Sequence, residues 1–540
     1  MIHVRRRVLA ALLAAGAVSG GALAVADSPS GARLTAVPSS EPKVTGSAAP
    51  NVLSAELRES PVAQGSSRLE NATARNPFYG YLGDGPMLPA PGDAPTAQHA
   101  IEATKTEPDK NTYLNIDGQG GADASYDYGT HFLFQGHENG SPGMITRINL
   151  DADGQHRVTL MASEDAGGND LATIDGSTWD PFAHRLLFTT EGTTKPEYQA
   201  TIAFPSKVED ISGAIGRGGY EGIQNDSAGN LWILEDVGGK AGTSNPNAKQ
   251  ANSFLYRFRP EDPSDLTQGG ELQALQVRSL QTGTPIVFHP GEADRDILSP
   301  DEKDLHTYAN TFKTRWVTVH TAGAHAAPFD ANAAAKAANA TPFKRPENGV
   351  FRPGTRFREF YFSETGDTNQ NTEAGSAYGG FGGAFRLTQS NPSADDGTLT
   401  LLYRGDVAHT GFDNVQFLDR DHVTFVEDAG DTLHTQRNAF DSGYVFDVTR
   451  SYAHTQAQPV RWLALGRDAS ATVDSQLSGA TGLKNDGDNE ITGIHVSDGD
   501  PSTHGILGAK VPKLFKHGWR EFYTQQHGDN VTWEVLRARR

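Results

Sequence analysis

The segment GNLWILEDVGG (229–239) is an apolar run of strand-forming residues that ends on two adjacent carboxylates, Glu235 and Asp236, and then on glycines. Such a run, bounded by turn residues, is typical of a buried β-strand. The segment HVTFVEDAGD (422–431) repeats the arrangement, again with a Glu-Asp pair at its end. Four further strand-like runs end near polar residues of similar kinds: Glu138, Glu191, Glu364 and His527. The repetition predicts one structural unit that occurs six times along the chain.

Repeats of this kind predict an all-β fold, a six-bladed β-propeller with loop insertions. Strand units of roughly 40–50 residues are typical of propeller blades. We expect the six apolar runs to form the innermost strands of the blades, so that their ends converge on one face around a central channel. The best helical candidate is DANAAAKAANA (330–340), and no segment predicts a helix longer than about three turns.

The composition supports this interpretation and excludes several classes of function. The chain has 540 residues with 59 glycines, no cysteine and a formal net charge of −20. A chain without cysteine has no thiol nucleophile and no thiolate metal ligand. The negative charge argues against nucleic acid and against an anionic membrane surface as partners. We expect a monomer.

The N-terminal residues are typical of an export signal. Three arginines (5–7) precede an apolar stretch that ends on AVA (24–26), which fits a signal-peptidase site. The sequence RRRVL also fits the loose twin-arginine pattern. We therefore expect residues 1–26 to be a signal peptide, residues 27–110 a flexible N-terminus and lead-in, and residues 111–540 the propeller. The mature protein is expected to be secreted, extracellular or periplasmic, without membrane insertion.

Carboxylates that converge around a channel need charge compensation. Like charges in close contact cannot all remain ionised unless something neutralises them, and a bound cation is the usual solution. Oxygen-rich sites without cysteine suit hard cations, calcium above all. The alternative is that the acids lie one turn beyond the channel and face water. A bound cation would also reverse the local field that otherwise repels an anionic substrate.

Five stretches, in this order, resemble motifs of the PhoX-type alkaline phosphatase family. They are LFQGHENG (133–140), GGYEGIQNDSAGNLWILEDVGG…NSFLYRFRP (218–260), FKRPENGV (343–350), TGFDNVQFLDRDHVTFVEDAG (410–430) and NEITGIHVSDGD…EFYTQQHGDN (489–530). The resemblance covers about residues 110–540. It implies a six-bladed β-propeller whose channel mouth holds calcium ions and an oxo-bridged pair of iron ions. It also implies an exported enzyme that hydrolyses small phosphate monoesters.

The resemblance further implies which residues serve the site. Arg345 and Glu347 match the Arg and Glu of the family's R-P-E motif, so both are expected to be catalytic and Glu347 also to bind metal. The remaining metal ligands expected from the resemblance and from the strand ends are Glu138, Glu191, Glu221, Glu235, Asp236 and Asp413. A guanidinium group makes a planar two-point contact with phosphate, which suits Arg345 for holding the substrate.

The sequence departs from the family pattern at positions that bear on the metal ions. Thr190 stands where the family has a cysteine ligand to iron, and Gly192 replaces a second Glu. Tyr220 precedes Glu221 in place of the family's His. Threonine cannot supply a thiolate, so calcium rather than iron is the expected cofactor. Two alternatives stay open: a catalytically inactive, calcium-stabilised binding propeller, and a calcium-dependent esterase or lactonase.

Overall fold

A computed structural model describes residues 34–42, 50–81, 105–138, 142–372, 374–453, 457–466, 490–526 and 530–539. The predicted signal peptide and His527 lie outside these ranges. Within them the chain is all-β, as the sequence predicts, with 26 strands and five short α-helices. None of the helices in this part of the chain is long and apolar enough to cross a membrane.

The strands follow one another in antiparallel units of four. Two strands precede the first unit: β1 (Val52–Leu53) and β2 (Leu57–Ala63). The first unit contains β3 (Pro108–Asn115), β4 (His131–His137), β5 (Ile145–Asn149) and β6 (Val158–Ala162). The second contains β7 (Ser177–Asp180), β8 (Arg185–Phe188), β9 (Tyr198–Ala200) and β10 (Val208–Asp210). The third contains β11 (Tyr220–Asn225), β12 (Leu231–Glu235), β13 (Leu255–Pro260) and β14 (Gly270–Val277).

The remaining units continue the pattern. Strand β15 (Phe312–Ala322) joins the third unit to the fourth through its pairing with β14 and β19. The fourth unit contains β16 (Gly349–Phe351), β17 (Glu359–Glu364), β18 (Gly383–Gln389) and β19 (Asp396–Arg404). The fifth contains β20 (Phe412–Phe417), β21 (His422–Glu427), β22 (Ser442–Asp447) and β23 (Val460–Ala464). The last contains β24 (Glu490–Ser497), β25 (Arg520–Gln526) and β26 (Val531–Arg537), with β2 as its outer strand.

The first strand of each unit contacts the first strands of the next and the previous units. The contacts run from β3 to β7, β11, β16, β20 and β24, and from β24 back to β3. We call these six strands the central ring. The closed ring of antiparallel sheets makes the fold propeller-like.

The N-terminal strand closes this arrangement. Strand β2 pairs with β26, so that Leu57 lies opposite Arg537, and β1 pairs with β23. The sequence assigns residues 27–110 to a flexible N-terminus and lead-in, whereas Val52–Leu53 and Leu57–Ala63 within them form strands of two sheets. The pairing joins residues about as far apart as the chain allows, and LRESPVA (57–63) has no clear apolar alternation, so no local signal reveals it.

The apolar runs that open the sequence analysis are the second strand of each unit, not the innermost strand as expected. They are buried almost throughout, which explains their strong apolar signal. The strands of the central ring carry polar residues toward the centre and are harder to recognise, as YEGIQN (220–225) illustrates. Because the two strands are antiparallel, the end of the second lies beside the start of the first. The predicted convergence of strand-end acids on one face therefore still follows.

The core lies between neighbouring sheets and is rich in aromatic side chains. Trp232 of the third unit packs on Phe360 of the fourth, with ring centroids 4.8 Å apart, and edge-on to Phe351 at 4.9 Å. Such pairs add specific geometry to the burial of apolar surface. Rigid contacts of this kind hold the strand ends, and hence their polar side chains, in fixed positions.

The helices occupy connections between strands: α1 (Ser212–Ile215), α2 (Ala293–Ile297), α3 (Pro300–Leu305), α4 (Ala331–Ala337) and α5 (Gly430–Arg437). Helix α4 confirms the prediction for residues 330–340. Asp330 caps it by accepting a hydrogen bond of 2.8 Å from the backbone N–H of Ala333.

Candidate metal centre

Every strand of the central ring carries a carboxylate at or just before its start. These residues are Asp109, Asp175, Glu221, Glu347, Asp413 and Glu490. In three units the pairing between the first and the second strand is irregular near the acid. The register shifts lie between Pro108 and Asn111, between Tyr220 and Ile223, and between Phe412 and Val415. Such irregularities release a residue from the ladder and redirect its side chain.

Three acids from the ends of second strands join them: Glu138, Glu191 and Asp236. The ligand atoms form four overlapping groups in which all atoms lie within 4.8 Å of one another. The groups are Asp109–Glu138–Glu490, Glu138–Asp175–Glu191, Glu191–Glu221–Asp236 and Glu221–Glu347–Asp413. We call these nine carboxylates the central acid cluster. Because the groups share members, the cluster is one continuous set of oxygen ligands.

A buried lysine and two asparagines hold part of this cluster in place. Lys110 donates from Nζ to Oδ1 of Asn348 at 2.8 Å and to Oδ1 of Asn414 at 2.9 Å. Asn348 in turn donates from Nδ2 to Oε1 of Glu221 at 2.6 Å and to Oδ1 of Asp413 at 2.9 Å. Burial lowers the pKa of the Lys110 ammonium, while the surrounding carboxylates oppose that effect. The network orients two acids that belong to one group of ligands.

Arg345 lies beside the cluster and is held by two of its acids. Its Nε and Nη2 contact Oδ1 and Oδ2 of Asp236 at 2.5 and 2.9 Å, and Nη2 contacts Oε1 of Glu347 at 2.8 Å. The hydroxyl of Thr365 donates to the other oxygen of Glu347. The Arg345 side chain is 19% exposed, whereas Glu347 is 1% exposed. The guanidinium group is thus fixed by a two-point contact and still reaches the surface of the site.

The cluster is electrostatically incomplete. Burial raises the pKa of seven of its carboxyls, and the neighbouring carboxylates raise it further: Asp109, Glu138, Asp175, Glu191, Glu221, Glu347 and Glu490. Among the described residues, the buried Oδ1 of Asp175 has no hydrogen-bond partner. In the described part of the chain, the cationic side chains of Lys110 and Arg345 contact this network, and that of Lys249 lies near Asp236, so nine carboxylates outnumber the cations around them. Protons or bound cations must supply the missing positive charge.

Comparison with known proteins shows a similarity to one family. Residues 246–501 match the family described as alkaline phosphatase PhoX. The solved structure of Pseudomonas fluorescens PhoX in complex with vanadate, a transition state analogue, superposes with a TM-score of 0.53 over 92% of this chain and 97% of that one, at 10% identity. The chain is PhoX-like. The motif resemblance predicted from the sequence is thereby confirmed.

The other comparisons add little. Structures of Sqt1 from Chaetomium thermophilum and Saccharomyces cerevisiae match with TM-scores of 0.32 and 0.31, values too low to indicate a shared fold. Their identities to this chain are 10% and 7%, over 80% and 81% of this chain and 97% and 98% of theirs. No curated protein matches the sequence.

The structure brings together six of the seven predicted metal ligands of this PhoX-like chain. The seventh, Glu235, lies apart from the central acid cluster. Its Oε2 accepts hydrogen bonds from the backbone N–H of Phe254 at 2.8 Å and from the hydroxyl of Tyr256 at 3.2 Å. Burial raises the pKa of this carboxyl. Its contacts are those of a residue that secures the start of β13.

Three members of the cluster were not predicted: Asp109, Asp175 and Glu490. A signal for them exists in the sequence, because an acid lies within two residues of the start of each central-ring strand. The signal is weak because these strands have weak apolar patterns, so the sequence does not mark them as a repeated set. Glu490 lies within the motif NEITG (489–493), whose resemblance to the family does not by itself indicate a metal ligand.

The donor set fits hard cations and does not supply a soft ligand. All nine side chains offer carboxylate oxygens, which is the chemistry that calcium prefers. Thr190 donates its hydroxyl to the carbonyl of Pro196 at 3.0 Å, and its backbone N–H to Oε2 of Glu197 at 2.9 Å. His137 has both ring nitrogens hydrogen-bonded to the hydroxyls of Thr106 and Thr146. Neither residue adds a sulfur or nitrogen ligand to the PhoX-like site.

Proposed function

We propose that this chain is a metal-dependent phosphoesterase of the alkaline phosphatase type, with its active site at the central acid cluster. The observation that carries the proposal is the continuous set of buried and partly buried carboxylates beside a fixed, partly exposed arginine. The match to the PhoX family and the similarity of fold to Pseudomonas fluorescens PhoX support it. The proposed substrate is a small phosphorylated molecule.

Calcium is the proposed cofactor, held by members of the central acid cluster. When bound, calcium would neutralise the non-bridging oxygens of a phosphoryl group and lower the barrier to attack by water. Iron is not proposed, since the chain lacks cysteine and the hydroxyl of Thr190 is bonded to the Pro196 carbonyl. The repeated oxygen donors are sufficient for a site built on hard cations.

The side chains of the chain itself perform two tasks in this mechanism. Arg345 binds a phosphoryl oxygen, because Asp236 and Glu347 orient its guanidinium plane before the substrate arrives. Such preorganisation avoids a reorientation cost during the reaction. The buried acids and Lys110 exclude bulk water from the floor of the site, which strengthens each electrostatic contact. Thr365 holds Glu347 through its second oxygen.

We further propose that the six strand units are the blades of a six-bladed propeller. The closed sequence of contacts around the central ring supports this count. Export from the cytoplasm, to the periplasm or the extracellular space, is proposed from the N-terminal residues 1–26. A monomer is proposed, and the net charge of −20 supports the proposal that neither nucleic acid nor an anionic membrane is a partner.

A second candidate function is a calcium-stabilised binding propeller without turnover. The observation in its favour is Thr190, which stands at the position of the family's cysteine ligand and points its hydroxyl into a backbone contact. In that case the cluster would stabilise the fold, and phosphate esters would bind without being hydrolysed.

Elemental analysis and turnover of p-nitrophenyl phosphate on the same preparation test the two candidates. The proposed phosphatase contains calcium, hydrolyses the ester, loses activity with a chelator and regains it with calcium. Calcium without turnover, together with a lower melting temperature after chelation, would favour the binding protein. A protein without bound metal that nevertheless hydrolyses the ester would overturn the proposed mechanism. Lactones and carboxylic esters serve as control substrates.

A further inference from the structure

A second group of potential metal ligands lies outside the central acid cluster. It consists of Glu302 in α3, His306 just after α3, and Glu364 at the end of β17, with one ligand atom from each within 4.8 Å of the others. The side chains of His306 and Glu364 are 0% and 1% exposed, and that of Glu302 is 8% exposed. Unlike the central acid cluster, this group includes an imidazole. Mixed nitrogen and oxygen donors favour a borderline ion such as zinc over calcium.

His306 is oriented as metal-bound histidines usually are. Its Nδ1 lies 2.8 Å from the backbone carbonyl of Glu302, a typical outer contact that leaves Nε2 for the metal. Nε2 faces Oε2 of Glu364 at 2.6 Å. Gly379 has a φ of +71°, and a Cβ there would lie 2.3 Å from Nε2. A glycine is therefore required for the ring to occupy this position.

The side chain of Glu302 gives a separate indication that a ligand binds here. The residue is 6% exposed, yet its Oε1 has no hydrogen-bond partner among the described residues. This oxygen lies 3.7 Å from Nδ1 of His306. A buried carboxylate oxygen without a hydrogen bond is costly unless a ligand satisfies it. Glu302 also lines a cavity of about 320 Å³ with His289, Arg295 and Asp296, which offers a route to the site.

The local charges leave room for a divalent cation. The nearby Lys344 ammonium contacts Oδ1 of Asp367 at 2.9 Å, so these two charges compensate each other. Glu364 accepts a hydrogen bond of 2.8 Å from the backbone N–H of Lys344, which fixes its carboxylate. Glu364 also pairs with Nε2 of His306 at 2.6 Å, so a bound divalent ion would take the place of the proton between them, with Glu302 and Glu364 balancing its charge.

We propose that Glu302, His306 and Glu364 form a second metal site, selective for zinc or a similar transition-metal ion and reached through the cavity beside Glu302. Three protein ligands leave one tetrahedral position for water or for a small ligand from the cavity. The site does not depend on the proposed phosphatase activity, because it shares no residue with the central acid cluster.

Zinc titration of the full-length, metal-depleted protein tests the proposal, with calcium in excess to saturate the central acid cluster. We expect one zinc per chain to be lost in His306→Gln and retained in the matched control His289→Gln, which alters a histidine on the same cavity. Zinc X-ray absorption should show one imidazole and two carboxylate oxygens in the wild type. Asp413→Asn should retain this zinc even if it abolishes turnover, which separates the two sites.

A second variant covers the case in which His306→Gln does not fold. Glu302→Gln removes a carboxylate oxygen that has no hydrogen bond to lose, so its fold is expected to survive. Its zinc affinity should fall at least tenfold, while its melting temperature without zinc stays within a few degrees of the wild type. Zinc binding of wild-type strength in Glu302→Gln, or a zinc spectrum without imidazole, would overturn the proposal.

Discussion

Glu235 and Asp236 are neighbours in the sequence, yet they serve opposite purposes in the molecule. Glu235 turns toward its own sheet and accepts the backbone N–H of Phe254, whereas Asp236 turns toward the central acid cluster and holds Arg345. The next Glu-Asp pair shows the same division, since Glu427 accepts the backbone N–H of Ser442 at 2.8 Å.

The difference follows from the geometry of a strand. Successive side chains point to opposite sides, so that one acid of each pair secures the third strand and the other reaches the centre. Asp428, the partner of Glu427, lies close enough to the cluster to raise the pKa of Glu490 and Glu347. Equal residue types at adjacent positions therefore do not imply equal roles.

The largest expected effect is a difference in phosphatase activity between a variant of Asp236 and a variant of Glu235. Asp236→Asn weakens the two-point contact that orients Arg345 and removes a carboxylate from the cluster. We expect kcat/KM for p-nitrophenyl phosphate to fall about a thousandfold, or ~4 kcal/mol of transition-state stabilisation. Glu235→Gln is the matched control and should keep its calcium content and activity within about threefold. Equal losses in the two variants would contradict the division of roles.

A third kind of acid sharpens the comparison. Glu521 in β25 is buried, and neither of its carboxylate oxygens has a hydrogen-bond partner in the described part of the chain. Burial raises its pKa from the ordinary 4.5 to about 8. The folded protein therefore holds a proton there that the unfolded chain releases, and stability decreases as the pH rises from 4.5 toward 8.

At pH 7 the raised pKa of Glu521 lowers the free energy of unfolding by about 3 kcal/mol, because each unit between the pKa values of the unfolded and folded states corresponds to about 1.36 kcal/mol. Glu521→Gln should remove the dependence, so the variant gains stability over the wild type at pH 7 but not at pH 4. Chemical denaturation at both pH values measures the difference. A constant gap between the two proteins would show that the carboxyl does not titrate as described.

Cation removal should affect the cluster more than the strand-securing acids. Calcium at a hundred times its Kd stabilises the folded state by about 2.7 kcal/mol per site. Chelation should lower the melting temperature of the wild type and of Glu235→Gln by similar amounts. The shift should be smaller in Asp413→Asn, which has one cluster ligand fewer. Calorimetry with and without chelator provides the test, and identical shifts in all three would argue against calcium at the cluster.

The smallest effect concerns the fold around Glu235. Glu235→Ala leaves the buried N–H of Phe254 and the hydroxyl of Tyr256 without their acceptor. We expect a loss of about 2 kcal/mol in the free energy of unfolding. Calcium content should not change. A loss of calcium in this variant would return Glu235 to the list of metal ligands that the sequence predicts.

Much of the candidate site could be predicted because its motifs are local. The R-P-E motif placed Arg345 and Glu347 together, and the structure shows them in contact at 2.8 Å. The acids of the central ring were harder to find. Asp109 lies near the start of a strand of mixed composition and Asp175 lies just before a four-residue strand, and only the arrangement of neighbouring units shows that they meet. Lys110 could not be assigned, because its two asparagine partners are more than two hundred residues away.

The sequence by itself determined the all-β class, the repeated strand units, the resemblance to the PhoX family and the carboxylate-rich chemistry of the centre. These properties depend on residue types and short-range spacing, which local patterns record directly. Only the tertiary structure decided which strands line the centre, which acid of each pair reaches it, and where residues 50–63 belong. Those outcomes depend on strand pairing between distant segments and on the face of the sheet to which each side chain points. A change of register by one residue moves every side chain of a strand to the opposite face.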